Sequence, residues 1–261
     1  MSAVSTSKFH PVKAIDEVIR KLDLIIQDAE THNDPAGYFA ALYQKVTIKV
    51  KEGIANGYFD DGARMEQLDI LFAKRYIDAW RAYKLCDRMS ASWKKAFDQG
   101  PRYWPIVLQH LLVGMNAHIN YDLGIAAAEI SKGKELDDLH DDFNRINTIL
   151  SELVHEVQDN LSSVWPMLKY LLKLTGKVDD YLVDFSMKLA RDGAWKFASE
   201  YFNVKESEKA AFLLQRDQRI SKIVKVVTEP GPIAAVILVI VRLTERGTVR
   251  EKIQKLKFTP L

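Results

Sequence analysis

His118 and Asp122 stand four residues apart in RYWPIVLQHLLVGMNAHINYDLGIAAAE, residues 102–129. On a helix that spacing is about 6 Å of rise on one face, so one imidazole nitrogen and one carboxylate can serve a single metal ion or substrate. With His110 set at 0°, Gly114, His118 and Asp122 follow at about 40°, 80° and 120°. Asn116 and Asn120 fall at about 240° and 280°. Polar groups on two sides imply a surrounded helix, each group meeting its own neighbour. His118 reads as a metal ligand or general base, Asp122 as its co-ligand or orienting group, and His110 as a second acid or base. His110 lies about 12 Å of rise from His118, too far for both to hold one ion comfortably. The competing reading is a set of hydrogen-bonded core residues tying helices together. Gly114 costs helix stability and implies close approach of a helix or ligand.

Other segments carry acids on apolar faces. In MEQLDILFAKRYIDAWRAY, Asp69 sits within the stripe Met65, Leu68, Phe72, Tyr76, Ala79, Trp80 and Tyr83. In DDFNRINTILSELVHEVQ, Asp142 and Asn147 border Phe143, Ile146, Ile149, Leu150 and Leu153. In DYLVDFSMKLARDGAWKFASEYF, Asp184, Arg191, Trp195 and Phe202 share a line, and Asp192 turns toward Phe185 and Leu189. Buried Asp is rare unless paired or ligating. One expectation is convergence: His118, Asp122 and Asp142 as ligands of a divalent metal, and His110 and Asp69 as further catalytic groups. Tyr76, Asn116, Asn120, Arg191 and Trp195 would contact substrate, with Trp80, Trp104 and Tyr121 completing an apolar pocket. The alternative is a buried salt bridge for each acid, with Arg75, Arg145 or Arg191.

Weaker signals carry less. Glu152-x-x-His155 lies on a solvent face without a second copy, and DDLHD at 137–141 sits at a helix start, where acids favour the dipole anyway. Cys86 reads as a small core residue. No phosphate loop, dinucleotide fingerprint, nucleophile elbow or H-E-x-x-H string is present.

The elements that must position these groups are helical. Periodicity predicts helices near 12–30, 35–56, 61–85, 90–98, 103–131, 136–161, 163–174, 178–203, 206–227 and 231–257, the last broken near Gly247. NDPAG places Asn33 or Asp34 at an N-cap with Pro35 in the first turn. Short connections and no internal repeat give one all-α domain over 1–261, a multi-helix bundle with a buried central helix behind a flexible N-terminus, 1–11. The chain has 261 residues, 48% of them hydrophobic, and a net charge of +2, which argues against a nucleic-acid partner. Residues 216–257 hold ten Lys/Arg against four Asp/Glu, a local +6. Within them, PIAAVILVIV at 232–241 is too short for a transmembrane helix, which needs roughly 20 apolar residues. Burial in the core is the expectation for it, and contact with anionic membrane the competing one. One cysteine and no apolar leader in residues 1–13 suggest a cytoplasmic protein, with membrane association as an added expectation.

Four strings, GYFDDGARMEQLDILFAKRY, QHLLVGMNAHINYDLGIAAAE, DDFNRINTIL and DFSMKLARDGAW, resemble the bacterial domain-of-unknown-function family 5995 over roughly residues 12–256. The resemblance implies an all-helical domain and no mechanism. It adds weight to Asp69, Arg75, His110, Asn116, His118, Asn120, Asp122, Asp142, Asn147, Arg191 and Trp195. Two functions stay open. One is an enzyme acting on a small lipophilic substrate by hydrolysis, elimination or cyclisation. The other is a non-catalytic protein that binds a hydrophobic ligand or a membrane surface.

Overall fold

The computed structural model describes residues 14–150, 153 and 187–257. Every regular element among these residues is helical, as periodicity predicts. The helix expected at 163–174, the first part of the one expected at 178–203, the end of the one expected at 136–161, the Glu152–His155 pair, Asp184 and the segment 1–11 expected to be flexible lie outside the described residues.

The first half is built from α1 (Ile15–His32), α2 (Gly37–Ala55), α3 (Gly62–Leu85) and α4 (Ala91–Phe97). Helix α1 buries Ile15, Val18, Leu22, Ile25, Ile26 and Ala29 at three- and four-residue spacing, a single stripe facing α2 and α3. Asn33 closes α1 in the left-handed region (φ 51°) instead of opening α2. Cys86 does the same for α3 (φ 53°) and is exposed, so it is a helix terminus and not a core residue.

The expected long helix at 103–131 starts later and has a change of winding. Helix α5 (Val107–Ala117) runs into a π-helical segment, His118–Leu123, and continues as α6 (Gly124–Ile130). A π-helix bonds i to i+5 and disturbs the carbonyl ladder. The Asn120 carbonyl accepts from Arg216 Nε (3.2 Å) and Nη2 (2.9 Å). Helix α5 is flanked by α2, α4 and the later helix Glu206–Thr228, so it is surrounded. A short 3₁₀ turn at Asp137–Leu139 leads into α7, helical over 140–150. Helices α8 (Met187–Phe202) and α9 (Glu206–Thr228) follow.

The apolar run corrects an expectation. It forms α10 (Pro232–Thr244), of which Val241 is buried, whereas Val236 is 61% and Leu243 67% exposed. It is a surface helix. The C-terminal anchor is α11 (Val249–Leu256), capped by Thr248 and Glu251 and inserting Ile253 and Leu256 against α1 and α2. No helix of the described residues is long and apolar enough to cross a membrane.

Candidate functional site

The polar stripe of α5 follows α2. His110 packs edge-on to Tyr38 at 5.7 Å between ring centroids. A Cβ on Gly114 would meet Phe39 Cγ at 2.6 Å, so the glycine admits the ring. His118 stacks on Phe72 at 3.5 Å and meets the Tyr43 ring edge-on at 4.4 Å. Phe39, Tyr76 and Trp93 complete an aromatic enclosure around the imidazole, which is 2% exposed.

Asp122 is the fixed point. Its Oδ1 accepts from Arg75 Nε at 2.7 Å and its Oδ2 from Trp93 Nε1 at 2.7 Å. His118 Nδ1 lies 3.4 Å from the same Oδ2, a longer third contact. Trp93 is aimed by α4, whose first amides, Ala91 (2.5 Å) and Ser92 (2.9 Å), donate to buried Asp217 on α9. Ser90 accepts from the Trp93 backbone N–H at 3.3 Å. Thus Asp217 sets α4, α4 sets Trp93, and Trp93 with Arg75 sets Asp122.

Burial pulls the His118 imidazolium below its ordinary range, against the opposing pull of Asp122, so the ring is neutral. With Nδ1–H directed to Asp122, Nε2 carries the lone pair. That Nε2 is buried without a hydrogen-bond partner, and so are Asp69 Oδ2 and the hydroxyls of Tyr43, Thr47 and Tyr76. Burial, then the Asp69 carboxyl, pushes the Tyr43 hydroxyl well up, and Thr47 beside it opposes the shift. Each stranded group costs about 1–3 kcal/mol. Tyr43 and Thr47 come from α2, Asp69 and Tyr76 from α3, and His118 from the π segment, and five unpartnered polar atoms on three neighbouring elements need an explanation. Asp69 is pushed up to about 7 by burial and by Glu66, which makes it an acid that exchanges its proton near neutrality.

Other expected site residues sit elsewhere. Asp142 does not join His118: its oxygens accept the backbone N–H groups of Asp60 and Asp61 (both 2.8 Å) and Arg145 Nη1 (2.7 Å), latching the loop before α3. Among the described residues no group of three or more His, Cys, Asp or Glu side chains is arranged to hold a metal ion. The expected His118–Asp122–Asp142 ligand set therefore does not converge. Asp192 points outward and pairs with Lys188. Arg191 is buried over the Phe143 ring, donates to the Phe143 carbonyl, and is held down at about 9 by burial. Trp195 packs on His140 and Phe143, away from His118, and Trp104 is on the surface. Asn116 and Asn120 tie α5 and the π segment together: Asn120 Nδ2 donates to Asn116 Oδ1 (3.0 Å) and Asn116 Nδ2 to the Ile220 carbonyl of α9 (3.1 Å).

His110 lines a separate cavity of about 390 Å³ with Tyr38, Arg102, Arg242, Glu245 and Lys252. Burial, then Arg242 and Lys252, lowers its pKa to about 3. The sequence reading missed Tyr43, Thr47 and Trp93. The first two are four apart on an otherwise apolar face of α2, which was a legible signal. Trp93 sits in a seven-residue helix too short to show a period.

The described helices pack about the rod made by α5, the π segment and α6, and at its π-helical turn a neutral histidine leans on a fixed carboxylate. The model of the Family of unknown function (DUF5995) matches residues 15–230, and the chain belongs to that family. The match ends before α10. No curated protein and no solved structure matches the chain.

Proposed function

We propose that the protein is an enzyme whose His118–Asp122 pair acts as general base on a small, largely apolar substrate. The observation that carries the reading is the unpartnered, buried Nε2 of His118, in an enclosure walled by the rings of Tyr43 and Tyr76, whose hydroxyls, like Asp69 Oδ2, are also buried without a partner. Asp122 fixes the ring and favours the imidazolium that forms when Nε2 takes a proton. In hydrolysis, Nε2 accepts a proton from water as its oxygen adds to an acyl carbon, then returns it to the leaving oxygen. In elimination or cyclisation, Nε2 removes a C–H proton, and Asp69 in its acid form protonates the leaving group or the alkene. The tyrosine hydroxyls supply hydrogen bonds to a developing oxyanion. Phe72 and Tyr43 close the ring faces, so substrate enters as those side chains move.

A panel of small apolar esters, lactones and allylic alcohols offered to the wild type and to His118→Gln tests this. The reading expects turnover that the variant lowers by about 10²–10⁴-fold, with ¹⁵N spectra showing Nδ1 protonated and Nε2 bare. Turnover unchanged in His118→Gln would refute it. So would no turnover at all together with a variant destabilised by about 1–3 kcal/mol, the mark of a core histidine. The near-complete enclosure of His118 favours a second reading, a non-catalytic binder of a hydrophobic ligand.

A further inference from the structure

Helix α10 presents to solvent an apolar stripe of Val236, Val239, Ile240 and Leu243. At helical pitch these four span about 100°, one face without a polar member. Tyr103 and Trp104 are 62% and 58% exposed in the segment before α5. Leu243 and Tyr103 share the wall of the cavity at His110, and the Arg242 guanidinium lies over the Tyr103 ring at 4.6 Å, so the aromatic residues continue the stripe.

The rim is cationic. Arg102, Arg242 and Lys252 line the cavity against one carboxylate, Glu245, and Arg246 and Arg250 are exposed beyond it. Glu245 is already engaged, accepting from Arg242 Nη1 (2.8 Å), Lys252 Nζ (2.6 Å) and the Val107 amide (2.9 Å). The Arg242 Nε is buried without a partner. The cavity therefore has positive charge and an N–H left to give.

We propose that this face docks on an anionic lipid bilayer: the α10 stripe, Tyr103 and Trp104 enter the boundary between headgroups and acyl chains, and the Arg102–Arg242–Lys252 cavity takes a lipid phosphate. Tyr and Trp favour that boundary because one end is apolar and the other wet. Thirteen residues make a helix of about 20 Å, which lies in the interface and does not cross it. Charge selects the occupant. A second copy of this chain would set its own arginines against these, whereas an anionic surface neutralises them.

Flotation of the full chain with phosphatidylcholine vesicles, with and without phosphatidylglycerol, tests the proposal. The expected result is binding to the anionic vesicles only, weakened by salt. Arg102→Ala and Arg250→Ala should each weaken binding by about fivefold. The triple variant Val236→Ser, Ile240→Ser, Leu243→Ser should abolish it without shifting the thermal midpoint. Absence of flotation, or flotation undiminished in the triple variant, overturns the proposal. Inorganic phosphate bound in calorimetry without flotation assigns the cavity to free anions and overturns it. A dimer in sedimentation that the triple variant dissolves, again without flotation, assigns the face to a second copy and overturns it. None of these readouts depends on the His118 reading.

Discussion

Asp69 and His110 give the protein two opposed responses to pH. The folded protein holds a proton on Asp69 up to about pH 7, whereas the ordinary value is 3.8. Between those values the native state binds more protons than the unfolded chain, so this group's contribution falls as pH rises. His110 is the reverse. Its ordinary 6.5 drops to about 3, so the unfolded chain binds more protons across that window and stability falls as pH falls. His118, also lowered by burial, adds to the second slope. Asp69→Asn should therefore stabilise the protein at pH 7.5 by on the order of 1–4 kcal/mol, seen as a higher urea midpoint, and should add little below pH 4. His110→Gln should flatten the acid-side loss. Midpoints measured from pH 4 to 8 check both, and an Asp69→Asn variant destabilised at pH 7.5 would contradict the first. The sequence made the His118–Asp122 neighbourhood legible because four residues on a helix fix a distance. It left Asp142 misread, because the groups that hold it are mostly backbone amides, which no side-chain pattern announces.

At the scale of elements, the helices on the faces of the core were legible wherever a polar side marked the outside. Helix α10 was not, for a physical reason. Ten apolar residues contain no polar one to say which face meets water, so burial on all sides looked natural. The charges flanking it were the better guide. Gly124 offers the converse lesson. By intrinsic propensity, alanine in a helix interior gains about 1 kcal/mol over glycine. Here a Cβ would sit 2.4 Å from Phe197 Cδ1 and 2.8 Å from the Ala194 carbonyl oxygen of α8. The carbonyl cannot swing aside as a side chain can. Gly124→Ala should thus lose stability, by about 1–3 kcal/mol, as read from a chemical denaturation midpoint. A gain would show that α6 and α8 separate at little cost.

At the scale of the molecule, the last two helices divide their duties. Helix α11 closes the core over α1 and α2 through Ile253 and Leu256, while α10 strings it to α9 across the surface. Removing residues 228–261 should expose the apolar faces of α1 and α2 and give an aggregating protein. Val236→Ser with Ile240→Ser should leave stability within about 0.5 kcal/mol of wild type. Size-exclusion profiles and thermal midpoints distinguish the two, and a soluble, cooperatively folded truncation would mean that α11 is dispensable.

The buried residues form two clusters, and their border on the central rod falls within the π segment. Ile106 through Ala117 belong to one cluster, Ile119 through Ala128 to the other. A π turn takes up about one residue more than an α turn, so everything beyond it is rotated by about 100° relative to a continuous α-helix. That offset lets His118 face α2 and α3 while Gly124 faces α8. The segment 118–123 is thus a phase adjuster between two cores. The loss or gain of one residue within it would bring one core into register only by putting the other out.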